Sequence, residues 1–247
     1  MKTVNIDKIR EIILSKFKLN KEKSNRIVKT NNKVEAALKE IEEKRNYAWD
    51  LDIEIRNKAN LNKEALFYRG RVITFRELFA KRDEVAKSLK QAGIEKGDAI
   101  AICMSNTPEF IYSLMAISKV GAEATIFGEN FDKEYIEKIL KGCTDKVFFA
   151  TDKKYEEIKD ILKNKKFRHK VIASVTDSLP NGIDPYYELD RDFYDFSNKV
   201  PKLKKEDRSI ISFQDFVNFG KTYVGETRED VSLDDDFLRS FTSGSTR

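Results

Sequence analysis

The sequence predicts an α/β fold: a parallel sheet of repeated βαβ units, flanked by helices and preceded by a helical N-terminal lead-in. Two observations predict it. Short apolar runs that do not alternate with polar residues recur at Ala99–Met104, Ala122–Phe127, Val147–Ala150 and Val171–Ala173, as strands covered on both faces require. Between them lie stretches whose apolar residues recur at helical spacing. Strands alternating with helices imply crossover connections and a parallel sheet.

The chain has 247 residues, 40% hydrophobic and 36% charged, with a mean hydropathy of −0.57. That is enough chain for one large domain or two lobes, with heavily solvated helix faces. No apolar run approaches the roughly 20 residues of a membrane span, and residues 1–7 carry no apolar leader core. The two cysteines, Cys103 and Cys143, sit in apolar segments far apart, which reads as buried reduced thiols and, by default, a cytoplasmic address. Lys and Arg exceed Asp and Glu by 47 to 42. An excess this slight suits drawing in an anionic nucleotide. It does not indicate nucleic-acid binding, and neither zinc-ligand spacing nor aromatic-basic interleaving is present.

Residues 1–60 read as the helical lead-in. Ile6, Ile9, Ile13 and Phe17 share one helical face, and Val34, Ala37, Leu38 and Ile41 mark a second helix. A basic amphipathic helix can lie on a membrane surface, but Asp7 and Glu11 dilute this one and favour packing on the body or on a partner protein. Trp49 reads as an anchor.

Residues 61–247 form the second division. Ala65–Tyr68 and Val72–Ile73 flank Arg69-Gly70 as a tight hairpin. Thr74 and Glu77 make a capping box for the next helix, and Gly93 supplies a left-handed stop. After the first buried strand, Thr107-Pro108 starts a helix with a cap and a proline at its first position. Asp132 caps a helix ending at Gly142, and a further helix is expected over Tyr155–Leu162. Residues 176–208, with three prolines, read as irregular structure with one short helix. Ser212 caps a short helix ending at Gly220, and a polar connector, 221–236, leads to a strand-like run at 237–240.

The chain then reaches Thr242-Ser243-Gly244-Ser245-Thr246-Arg247. Hydroxyl groups around one glycine can cradle phosphate oxygens. The plain alternative is a frayed polar tail. Ligands of parallel sheets bind at the carboxyl ends of the strands, which brings the phosphate loop level with the tail and leaves both open on the residues alone.

Several stretches, in order, resemble the AMP-forming acyl-activating enzymes, the family of acyl-CoA synthetases, luciferases and peptide-synthetase adenylation domains. Thr242–Thr246 resembles the first half of its phosphate loop. Ile73–Leu78 resembles its entry into the first helix, and Gly93–Ile102 its G-v-x-x-G-D stretch. Asn106–Phe110 resembles N-s-x-E-f, Ala116–Gly121 the segment after it, and Ser212–Phe216 an s-f-e-d-l element. The resemblance covers about Leu61 to Arg247.

It implies a ligase in which a carboxylate attacks ATP to give an acyl-adenylate and pyrophosphate, followed by transfer to a thiol, commonly that of coenzyme A. By the same resemblance Thr242, Ser243, Gly244, Ser245 and Thr246 contact the ATP phosphates, with Mg²⁺ as the metal. The family's later motifs, including its catalytic lysine, have no counterpart here. The sequence is therefore expected to be the N-terminal portion of a longer enzyme, inactive alone. The acceptor could instead be a carrier-protein thiol. A reading from another class is a non-catalytic α/β module used for protein binding; a reading frame continuing as Gly-x-Pro-Lys would separate the two. The resemblance implies a small-molecule carboxylate as substrate; a homo-oligomer stays open.

Other polar residues have plainer roles. His169 is expected at a strand edge, Asp98 at a turn, Asp234–Asp236 in a solvated acidic turn, and the lysines from Lys163 to Lys170 on an exposed face.

Overall fold

The computed structural model describes residues 48–128, 131–163, 165–179, 207–232 and 234–241. All of them lie in one compact unit spanning 46–247. The expected lead-in helices at Ile6–Phe17 and Val34–Ile41 fall outside the described residues, as does most of the irregular stretch 176–208.

Helix α1, Trp49–Asn57, leads into a hairpin of β1, Glu64–Tyr68, and β2, Arg71–Thr74. Arg69 and Gly70 take φ of 47° and 84°, so both central residues of this two-residue turn are left-handed, the geometry that matches strand twist. Leu66 pairs with Ile73 and Phe67 with Val72. The first pair faces the core; the second is exposed, Phe67 by 74%.

Helix α2, Phe75–Gln91, starts at the expected capping box: Thr74 Oγ1 accepts from Glu77 N, and Thr74 N donates to Glu77 Oε2. It ends where Gly93, at φ 80°, lets Gly93 N reach Lys90 O and Ile94 N reach Leu89 O. Three strand–helix units follow, β3 (Ala99–Cys103) with α3 (Pro108–Lys119), β4 (Glu123–Ile126) with α4 (Lys133–Lys141) and β5 (Val147–Thr151) with α5 (Asp152–Leu162), and then strand β6 (His169–Ala173). Then come β7 (Ile210–Ser212), α6 (Phe213–Phe219) and β8 (Leu238–Ser240). Thr107, Asp132 and Ser212 cap their helices as the sequence predicts.

The main sheet has the order β7-β6-β5-β3-β4-β8, and every neighbouring pair is parallel. Side-chain alternation divides each central strand between two cores. Ile100, Ile102, Phe149 and Val171 pack with α2, α3 and α6. Ala101, Cys103, Phe148, Ala150 and Ile172 pack with α4 and α5. Both faces being covered, the strands show no polar alternation.

Two elements differ from expectation. α5 begins at Asp152, ahead of Tyr155, because Asp152 is buried and accepts from Lys153 N at 2.8 Å and from the Ser174 hydroxyl at 2.8 Å. The lysine run is also not simply exposed. Lys165 caps the end of α4 by donating to Leu140 O and Cys143 O at 2.9 and 3.1 Å, and Lys170 is buried and paired with Asp207 at 2.7 Å.

Candidate functional site

From β3 the chain steps to β4 on one side, then crosses back past β3 to β5 and continues outward to β6 and β7 on the other. The carboxyl ends of β3 and β5 therefore form the switch point at which open parallel sheets bind ligands. There Ser105 N donates to Thr151 Oγ1 at 3.2 Å, and the two hydroxyls lie 3.3 Å apart. This explains why Thr151 leaves the start of α5 without a side-chain cap.

Beside them lies a floor of buried acids and hydroxyls. Glu109, in the first turn of α3, accepts from the Ser178 hydroxyl, and its Oε2 has no partner. Asp177 accepts from Ser174 N, and Ser174 Oγ lies 2.8 Å from Thr176 Oγ1. Burial raises the carboxyls of Glu109 and Asp152 above the ordinary carboxyl range, while Asp177 sits exposed at the rim. The Tyr68 hydroxyl donates to Val175 O at 2.8 Å and is pushed up to about 12, first by burial and then by the Glu109 charge. This network ties the hairpin, α3 and the turn after β6 together over the switch point. Sequence reasoning did not single out these residues. Glu109 was legible only as part of N-s-x-E-f, and no local pattern marks a first-turn glutamate as buried.

The predicted phosphate contacts, Thr242, Ser243, Gly244, Ser245 and Thr246, lie outside the described residues. What is described is the approach to them. β8 is the edge strand, parallel to β4 with Ala124 opposite Leu238, Thr125 opposite Arg239 and Ile126 opposite Ser240. The chain thus runs toward the carboxyl edge of the sheet and reaches it at Phe241. The Phe241 ring stands edge-on to Tyr135 of α4, with centroids 5.9 Å apart. Trp49 stacks on Phe237 at 5.4 Å, and Arg239 Nη2 reaches Glu123 Oε2 at 2.9 Å.

The remaining candidates take the plainer roles. His169 opens β6 with its ring 5.0 Å from that of Phe219, and burial lowers its pKa. Asp98 accepts from Glu95 N and pairs with Lys146, both at 2.8 Å. Asp235 accepts from Ser232 N and pairs with Lys96. Cys103 and Cys143 are buried free thiols. Among the described residues, no group of three or more His, Cys, Asp or Glu is placed to hold a metal ion, and no helix is long and apolar enough to cross a membrane.

Known proteins are similar to this chain in sequence and in fold. Acetyl-coenzyme A synthetase of Emericella nidulans is 34% identical over 99 residues, 38% of this chain and 15% of that protein. Long-chain fatty acid transport protein 6 of Mus musculus is 24% identical over 127 residues, 51% of this chain and 20% of that protein. Among solved structures, an anthranilate CoA ligase in complex with anthranoyl-AMP superimposes with a TM-score of 0.58 at 21% identity, over 78% of this chain and 32% of that one. Coronafacic acid ligase from Pectobacterium brasiliense gives 0.58 at 15% identity, over 78% and 33%. These structures share the fold, and the chain spans about a third of their length. The sequence pattern of the AMP-binding enzymes matches residues 53–246, from within α1 to the end of the Ser/Thr/Gly stretch. With most of its length matched in that way, the chain belongs to the AMP-binding enzyme family.

Proposed function

We propose that this chain is the N-terminal, phosphate-gripping portion of an ATP-dependent, AMP-forming acid–thiol ligase. The observation that supports this most is the direction of β8. An edge strand parallel to β4 leads to the carboxyl side of the sheet, immediately before a stretch of hydroxyl side chains and one glycine in a family of AMP-binding enzymes.

In the proposed reaction a carboxylate oxygen attacks the α-phosphorus of ATP. The bond from that phosphorus to the β-phosphate bridging oxygen breaks, and pyrophosphate leaves. A thiol then adds to the acyl carbonyl and AMP departs. The part assigned to this chain is to hold the β- and γ-phosphates: loop N–H groups and the hydroxyls of Thr242, Ser245 and Thr246 donate to oxygens on which charge builds as pyrophosphate separates. Mg²⁺, when bound, supplies further charge neutralisation. Coenzyme A is the proposed thiol, in keeping with the acetyl-coenzyme A synthetases and the anthranilate CoA ligase among the similar proteins. A small-molecule carboxylate is the proposed substrate and the cytoplasm the proposed location. Residues 1–247 alone are proposed to be inactive, having matched only a third of the solved ligases.

Carboxylate-dependent ATP–pyrophosphate exchange, measured with a panel of short, aromatic and long-chain acids on the protein that carries this chain, tests the reading. At least one acid is expected to drive exchange, and Thr246→Ala to lower it by about 10²-fold, the usual effect of removing one donor to developing charge. Absence of exchange with every acid overturns the ligase reading; exchange by residues 1–247 alone overturns the last clause.

A further inference from the structure

Strand β8 is a weak element in a place where precision matters. It has three residues, all exposed, and pairs on one side only. Strands that short do not hold their register by backbone bonds alone. Three side-chain contacts act along it: Phe237 on Trp49, Arg239 on Glu123, and Phe241 on Tyr135. The outer two are ring contacts, which tolerate sliding. The middle one is a charge-assisted hydrogen bond, which does not.

Glu123 is built to hold one position. It is 6% exposed, on β4, and its Oε1 accepts from Thr125 Oγ1 at 3.1 Å while Oε2 accepts from Arg239. A buried carboxylate stripped of its cation is strongly unfavourable, so β8 is drawn to the register that brings Arg239 onto it. A slip of two residues would carry Arg239 roughly 6–7 Å along the strand and break the pair. Thr242 lies three positions beyond Arg239, at most roughly 10 Å of chain. The register therefore sets where the loop leaves the sheet.

We propose that Arg239 and Glu123 are a positioning pair for the phosphate loop, an inference that rests on the ligase reading above: the pair locks β8 onto β4 in the register that presents Thr242–Thr246 to the ATP phosphates. Neither residue is assigned a contact with ATP. Displacing a reacting group by about 1 Å costs on the order of 10²-fold in rate, so a loosened register is expected to appear in ATP handling.

Two measurements test it. In the protein that carries this chain, Arg239→Gln and Glu123→Gln are expected to raise the KM for ATP and lower kcat by about tenfold or more, leaving the KM for the carboxylate unchanged. Arg239→Lys should recover most of the loss, and the double Gln variant should be no worse than either single one. Additive losses, or a lowered Tm with ATP kinetics intact, overturn the proposal. Separately, hydrogen exchange in the protein that carries this chain is expected to quicken at least tenfold at 238–241 in both single variants, with β3 and β5 unchanged. Unchanged exchange at 238–241 overturns the pair as a register lock whether or not the protein is a ligase. Faster exchange there, with no activity in the unaltered protein, sinks the ligase reading and the ATP-directed role while leaving the lock itself supported.

Discussion

Arg228 grips both carboxylate oxygens of Asp50 across 178 positions of chain, Nη1 to Oδ1 at 3.3 Å and Nη2 to Oδ2 at 2.7 Å. Arg82 reaches the same Oδ2 at 3.1 Å, and Asp50 is fully buried. The acid is the hub that binds α1 and the 226–232 connector to α2. Asp50→Ala removes one carboxylate shared by two guanidinium groups, but Arg82 keeps Glu54 at 2.6 Å and Asp83 at 2.7 Å, so the expected cost in urea unfolding is about 1–3 kcal/mol, below that of a buried charge left with no partner. Asp50→Ala with Arg82→Met should regain part of that. A single-variant loss below about 1 kcal/mol would contradict the hub.

Gly220 marks the tightest backbone approach in the core. A Cβ there would lie 2.3 Å from Ser88 Oγ and 2.4 Å from Ser88 N, and backbone of α2 cannot move aside as a side-chain tip can. Gly220→Ala is expected to destabilise by about 1–3 kcal/mol. Gly142→Ala is the control. Its added methyl would meet only Ile139 O at 3.5 Å, φ is −82°, and the change should be neutral or stabilising. Equal Tm shifts for the two variants would refute this contrast.

Lys170 gives stability a pH dependence. Its ammonium, with the Ser209 hydroxyl, holds the Asp207 carboxyl down at about 2. A folded-state pKa below the unfolded one means stability that is present above the ordinary carboxyl range and lost as pH falls through the folded value. The loss is expected between about pH 4 and pH 2, and in Asp207→Asn this part of the acid-unfolding profile should flatten. Because Asp207 is well exposed, screening keeps the effect small. An unaltered profile would show that the pair contributes nothing.

The cysteines should be silent in the folded protein. Burial pushes the Cys103 thiol up to about 12 and raises Cys143 as well, so the thiolate that alkylating reagents need is scarce. Iodoacetamide at pH 8 is expected to label neither until urea unfolds the chain, and then both. Rapid labelling of the native protein would disprove the buried placement.

Much of the architecture was legible in the sequence because it is written locally. The Thr74–Glu77 capping box, the Thr107-Pro108 start and the Asp132 and Ser212 caps each lie within one helical turn. The apolar runs at 99–104 and 147–150 state that both faces of those strands are covered. The hydroxyl-rich stretch at 242–246 is likewise a property of sequence, and with the ordered motifs before it pointed to the AMP-binding family.

What the sequence by itself determined, then, is the central strands β3 to β6 and the capped helices around them, though not β7, and the family to which they belong, since periodicity and capping act over a few residues. Only the tertiary structure decided which distant side chains meet: Glu123 with Arg239 across β4 and β8, Glu109 with Ser178, Asp50 with Arg82 and Arg228, Lys170 with Asp207. These pairings depend on the order in which strands assemble. That order is set by burial summed over the whole sheet, so residues 32 to 178 positions apart carry no local mark of their partnership.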